Sequence, residues 1–153
     1  MHDLPKEAAT GAPAGRRGLE AEFELTMRRT GSLMQLMGQS AAERVGINPT
    51  DLNCLNILSL SGQLTAGQLA QATGLTTASI TGVTDRLEAA GYVRRERDTA
   101  DRRKVLIQLV PERAIRDVAP VFGPLVREWR ATAADYSDAE LELIVTFQRR
   151  IED

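Results

Sequence analysis

Apolar or small side chains recur at Leu19, Phe23, Met27, Thr30, Met34, Met37 and Ala41, every third or fourth position. That spacing lines one stripe of an amphipathic helix over residues 19–45. Its length predicts packing against a second chain as well as its own core. Three helices are then expected near 49–61, 66–73 and 77–90, each opened by a start signal. Asn48 stands before Pro49 and Asp51, with Ile47 and Leu52 placed as a hydrophobic staple. Thr65 and Gln68 have capping-box spacing between Leu64 and Leu69. Thr76 is a cap stapled by Leu75 and Ile80, while Gly74 suits the end of the preceding helix and Gly91 closes the third. The second and third of these helices are joined by a short turn containing glycine, as in a helix-turn-helix.

Beyond Gly91 the period changes. Residues 92–97 and 105–110 are β-rich runs on either side of Asp98-Thr99-Ala100-Asp101, which predicts a hairpin with a polar tip. From Pro111 the chain turns helical again. Pro120 and Pro124 are expected to break or kink that helix before residues 125–134 continue it. Ser137 and Glu140, with Tyr136 and Leu141 as staple, open a final helix to about Ile151. The predicted fold is mainly α with a small β-hairpin wing. A winged helix-turn-helix at about 47–110 is flanked by helices at about 19–45 and 111–152. Residues 1–18 are expected to be a flexible tail, and residues 19–153 a single domain.

On a helical wheel of residues 77–90, Ile80, Val83, Thr84 and Leu87 gather on the core side. The opposite side holds Ala78, Thr81, Gly82, Asp85 and Ala89, with Thr77, Ser79 and Arg86 at its borders or N-terminal end. It is small and hydroxyl-rich, so nothing obstructs close approach to a major groove. Ser and Thr can donate to bases or phosphates, and Arg86 can reach a backbone phosphate. The alternative for the helix alone is an exposed face with no partner.

Charge changes that balance. The chain has a formal net charge of −2, yet residues 92–104 carry six basic side chains (Arg94, Arg95, Arg97, Arg102, Arg103 and Lys104) against three acidic ones. A basic loop directly after a helix-turn-helix is placed to drop its tip into a minor groove. Asp98 and Asp101 would orient Arg102 or Arg103 and hold the loop in one shape. A solvated charged turn would explain the charge but not its position. The acidic remainder limits indiscriminate adhesion to nucleic acid.

Composition removes most enzymatic readings. At 153 residues, 42% hydrophobic and 26% charged, the chain suffices for one ordinary core. Its one histidine, His2, lies in the presumed tail, and its one cysteine is Cys54. A four-ligand His/Cys zinc site, an internal disulfide and a triad with an ordered base cannot be assembled within the chain. No paired-carboxylate pattern stands out either, so no catalytic residue, metal or cofactor is expected. The N-terminal residues lack the apolar run of a signal peptide, and no stretch approaches the ~20 apolar residues of a membrane span. A cytoplasmic location without membrane association is expected. Arg16 and Arg17 would reach nucleic acid only as part of a solvated tail.

Residues 75–109, LTTASITGVTDRLEAAGYVRRERDTADRRKVLIQL, resemble the winged helix-turn-helix of the MarR family of bacterial transcriptional regulators. The features carrying the resemblance are the lead-in LTAGQLAQATGLT, the helix exit DRLEAAGYVRR and the wing pattern D-x-x-D-R-R. One long helix before this region and two after it extend the likeness over residues 19–152. The resemblance implies a homodimer built on the first and last helices, bound to pseudo-palindromic double-stranded DNA and released by a small molecule. It implies that Arg103 enters the minor groove braced by Asp101, with Arg97, Arg102 and Lys104 alongside. It also implies that Thr76, Thr77, Ser79 and Thr81 make groove and phosphate contacts. Gly82 departs from the larger polar or basic residue that many members carry, which shifts specificity towards the wing and DNA shape. Val110-Pro111 departs from the usual Leu-Thr, although Pro111 still opens a helix.

An effector pocket would be lined by Met27, Met34, Met37, Leu55, Leu58 and Trp129, and would suit a small apolar or aromatic compound. A methionine stripe is also what plain core looks like. Peroxide-sensing members usually carry their thiol in the first helix; Cys54 falls in the second, and is expected to be a buried structural thiol. A winged-helix protein-interaction module is the competing class. It would show an apolar or acidic recognition face and no basic wing, the reverse of this chain.

Overall fold

The structure, a computed structural model, describes residues 15–152. Seven helices and three strands follow in order: α1 (Gly15–Val45), α2 (Pro49–Ser61), β1 (Leu64–Thr65), α3 (Ala66–Thr73), α4 (Thr77–Ala89), β2 (Val93–Arg97), β3 (Val105–Leu109), α5 (Pro111–Asp117), α6 (Ala119–Ala133) and α7 (Asp138–Glu152). The chain divides into two compact units, one ending at Met37 and one beginning at Gly38. No described helix is long and apolar enough to cross a membrane.

The first unit, as far as it is described, is the N-terminal part of α1. Leu19, Phe23, Met27 and Met34 are all exposed on it, as are Leu25, Leu33 and Leu36. The helix begins at Gly15, so the expected tail boundary at residue 18 falls inside it. Arg16 sits in the first turn, with its Nε 2.8 Å from Glu20 Oε1, an i,i+4 pair that supports the helix start. His2 lies outside the described residues.

In the second unit the local start signals act largely as their chemistry requires. Thr65 and Gln68 close a reciprocal capping box, and Thr76 Oγ1 accepts from the Ser79 N–H at 3.2 Å. Ser137 N–H donates to Glu140 Oε2 at 2.8 Å, opening α7. Asn48 differs: it occupies the cap of α2 but makes no side-chain cap bond, so Pro49 alone sets that start. Gly74 and Gly91 take left-handed φ values of +70° and +77°, which lets α3 and α4 end in tight turns. The expected break near Pro120 occurs at Val118, between α5 and α6. Pro124, the sixth residue of α6, lies inside that helix without ending it and removes one i→i−4 hydrogen bond, that to the Pro120 carbonyl.

Helices α2 to α4 pack on a sheet of order β1-β3-β2. β1 pairs Leu64 with Ile107 and Thr65 with Leu106, a two-residue strand beyond the elements expected from the sequence. β2 and β3 form the expected hairpin, from Val93 opposite Leu109 to Arg97 opposite Val105. The core joins Cys54, Leu55 and Leu58 of α2, Leu69 and Ala70 of α3, Ile80, Val83 and Leu87 of α4, and Tyr92, Val93 and Ile107. Each large apolar side chain so buried contributes about 1.5–3 kcal/mol relative to exposure. A second cluster, Ala41, Ala42 and Leu52, is flanked by Ile47, Val118, Val121 and Phe122.

Cys54 is fully buried in this core. Burial, with the nearby Asp51 charge adding and Arg86 opposing, pushes its thiol up to about 11. Roughly one molecule in ten thousand is then thiolate at pH 7. Iodoacetamide is therefore expected to leave native Cys54 unlabelled at pH 7–8 and to label it on unfolding in urea. Labelling of the folded protein at the unfolded rate would contradict a structural thiol.

Candidate nucleic-acid interface

The face of α4 opposite the core presents Thr77, Ala78, Ser79, Thr81 and Asp85 to solvent, with the capping Thr76 exposed at its end. Several hydroxyls are partly engaged. Thr76 Oγ1 and Ser79 Oγ share a hydrogen bond at 2.9 Å, and the Thr81 hydroxyl donates to the Thr77 carbonyl at 3.0 Å. Each retains lone pairs, and the helix N-terminus adds its own unpaired amide donors. Gly82 lies within the helix, and a Cβ built there would meet nothing nearer than Arg86 Nη1 at 3.7 Å. Nothing in the fold requires glycine at this position.

The wing tip is held by its two aspartates through the backbone. Asp98 Oδ1 accepts from the Ala100 N–H at 2.8 Å, and Asp101 Oδ1 from the Arg103 N–H at 3.1 Å. The Lys104 N–H donates to the Asp101 carbonyl at 2.8 Å, and the Asp98 N–H to the Lys104 carbonyl at 3.0 Å. Asp101 also receives Arg103 Nε at 3.3 Å, so it orients Arg103 as expected; Asp98 orients the turn rather than an arginine. Arg97, Arg102, Arg103 and Lys104 are exposed, and the Arg103 side chain is 94% accessible. Among these four, only Arg103 has an ion-pair partner within the described residues.

Arg86 departs from expectation. Its Nε and Nη2 donate to Asp51 Oδ2 and Oδ1 at 3.1 and 2.6 Å, a bidentate pair linking α4 to α2. The Asp51 side chain is 4% exposed and that of Arg86 52%. Arg86 therefore first satisfies a buried carboxylate, which a sequence separation of 35 residues concealed. A cleft of about 320 Å³ beside this pair is lined by Gly46, Ile47, Asn48, Asp51, Arg86, Leu87 and Ala90.

Arg94 and Arg95 are also engaged. Arg94 donates to Gln108 Oε1 at 3.2 and 3.1 Å and pairs with Glu96 at 2.8 Å. Arg95 turns to α4, bonding Thr84, Asp85 and Glu88. At the wing root the Tyr92 hydroxyl lies 3.1 Å from Asp117 Oδ2, and the Arg113 guanidinium stacks over the Tyr92 ring at 5.0 Å. The hydrogen bond from Arg116, with Tyr92 and Arg113 adding, holds the Asp117 carboxyl below the usual carboxylate range.

The proposed effector residues scatter over different environments. Leu55 and Leu58 are buried in the winged core, Trp129 is exposed on α6, and Met27 and Met34 are exposed on α1. A second cleft, of about 310 Å³ at the base of the wing, is lined by Gln63, Thr65, Gln68, Asp98, Lys104 and Leu106. Neither cleft is lined by Leu55, Leu58 or Trp129. These two leucines are packed in the core, and core packing and pocket lining call for the same apolar residues.

Comparison with known proteins agrees with this geometry. Residues 47–105 match the model of the MarR family. The chain is 41% identical over 142 residues to the uncharacterized HTH-type transcriptional regulator YcgE of Bacillus subtilis (strain 168), covering 90% of this chain and 91% of that protein. A MarR family protein from Bacillus stearothermophilus superposes with a TM-score of 0.68 at 26% identity, covering 91% of this chain and 96% of the other. Bordetella bronchiseptica BpsR, whose DNA binding is regulated by 6-hydroxynicotinic acid, superposes with a TM-score of 0.53 at 25% identity, over 85% and 92% of the two chains. With its helix-turn-helix, basic wing and flanking helices in the family's order, the chain belongs to the MarR family of transcriptional regulators.

Proposed function

We propose that this chain acts as a homodimeric repressor that binds a pseudo-palindromic operator and leaves it when a small apolar or aromatic effector binds. The observation that carries the DNA reading is the wing tip. Arg97, Arg102 and Lys104 lie exposed without an ion pair among the described residues, where Arg103 pairs with Asp101 alone. In this reading Arg103, braced by Asp101, enters the minor groove beside Arg97, Arg102 and Lys104. Thr76, Thr77, Ser79 and Thr81 meet bases and phosphates in the major groove, and Gly82 lets the helix approach closely.

Dimerisation is supported by apolar surface left open on the flanking helices. α7 exposes Leu143, Ile144, Val145 and Ile151, and α1 exposes Leu25, Leu33 and Leu36. Exposed large apolar side chains in such number on one helix favour association. Two copies would place their recognition helices about 34–36 Å apart, one turn of duplex. Release by an effector is supported by the regulation of BpsR, a protein of the same fold.

The test is binding of the purified chain to duplex DNA from its own promoter and to a scrambled duplex, each at two salt concentrations. Promoter-selective binding that falls steeply with salt is expected, the slope counting phosphates neutralised. A folded dimer that binds neither duplex at low salt would overturn the reading and favour a protein-interaction module.

A further inference from the structure

Arg95 stands in the middle of the basic stretch, and charge alone would make it another phosphate contact. Its surroundings argue otherwise. Arg95 Nη2 lies 2.5 Å from Thr84 Oγ1 and 2.6 Å from Asp85 Oδ1, and Nη1 pairs with Glu88 Oε2. The Arg95 main-chain N–H donates to the other oxygen of Glu88 at 3.2 Å. β2 is an edge strand, so Glu88 takes the place a neighbouring strand would otherwise fill. One residue thus fastens the wing strand to the last two turns of α4 by four hydrogen bonds.

We propose that Arg95 is the positioning residue that sets the wing against the recognition helix, so that both engage DNA at once. This rests on the reading of α4 and the wing as the DNA-binding surface. The root of the hairpin is fixed by the pairing of β3 with β1 and by Val93 and Ile107 in the core. Arg95, four residues beyond Gly91, adds a side-chain attachment to α4 further along β2, towards the tip, where it limits bending of the outer hairpin relative to the recognition helix. The Arg95 fork is also matched by two carboxylates, so its charge is neutralised inside the protein. Asp85, whose side chain is 60% exposed on the α4 face, shares that one positive charge with Glu88, so the cluster keeps a net charge of −1. Arg94 shares none of this, since its guanidinium goes to Gln108 and Glu96 and leaves α4 untouched.

Arg95→Lys keeps the charge but replaces a planar fork with a single ammonium, which cannot span three acceptors in the same way. The test compares parent, Arg95→Lys, Arg103→Ala and the double variant for promoter binding. Backbone amide relaxation over residues 97–104 of the free proteins is measured alongside. The expected result is higher nanosecond mobility of the wing in Arg95→Lys and about tenfold weaker binding. Adding Arg103→Ala to Arg95→Lys is expected to cost much less than Arg103→Ala costs alone, because a wing out of place has little left to lose.

A wing as ordered in Arg95→Lys as in the parent would overturn the proposal. So would losses that simply add in the double variant, as a general loss of stability would give. If the parent binds no duplex, the DNA reading falls, while the amide relaxation still decides whether Arg95 positions the wing.

Discussion

Arg86→Ala is expected to lower the unfolding free energy by about 2–3 kcal/mol, read as an earlier midpoint in a urea titration. The cause is Asp51, which sits almost wholly out of water with both carboxylate oxygens on Arg86. Removing one partner of a fully buried pair costs roughly 3–5 kcal/mol, because the other charge is left uncompensated. The Arg86 guanidinium is half in solvent, so some water replaces it and the lower figure applies. Arg86→Lys should fall between the two, since a lysine keeps the charge but not the two-pronged bond. An unchanged urea midpoint together with weakened DNA binding would show that Arg86 works on phosphate rather than on Asp51.

Arg103→Ala is expected to behave in the opposite way, with an unaltered urea midpoint and promoter affinity lower by about tenfold or more. Its side chain is 94% exposed, and its one side-chain partner among the described residues is Asp101 at 3.3 Å, so the fold loses almost nothing with it. A specific groove contact is worth about 1–3 kcal/mol, and a dimer would lose it twice. The loss should be greater on the promoter than on scrambled duplex. Equal affinity of variant and parent for the promoter would remove Arg103 from the interface.

What the sequence disclosed followed the range of the interactions involved. Capping by Thr65, Thr76 and Ser137 is settled within three or four residues, so these helix starts were legible directly. The core face of α4 was legible for the same reason, as Ile80, Val83, Thr84 and Leu87 recur with the helix period and are all buried. The wing's location and its Asp101–Arg103 brace also lie within a few residues of chain.

The rest depended on distance along the chain. Asp51 and Arg86 meet across 35 residues, and neither carries a local mark of the other. Arg95 looked like one more positive charge because its partners lie on the far side of a turn, seven to eleven residues back. β1 has two residues, too few to show an alternation. Leu55 and Leu58 suit an effector pocket on composition alone, and their place in the core is visible only in the packing.

The aspartates at the wing tip have a wider consequence. Asp98 grips the Ala100 amide and Asp101 the Arg103 amide, so the loop owes its shape to main-chain partners rather than to the identity of the side chains it displays. Residues 102 and 103 can therefore be exchanged without refolding the turn that presents them. Such a loop works as an interchangeable head on a fixed shaft. If the wing meets DNA as proposed, selection or an engineer could retune which DNA it favours by replacing only its outward side chains, while the scaffold beneath stays as it is.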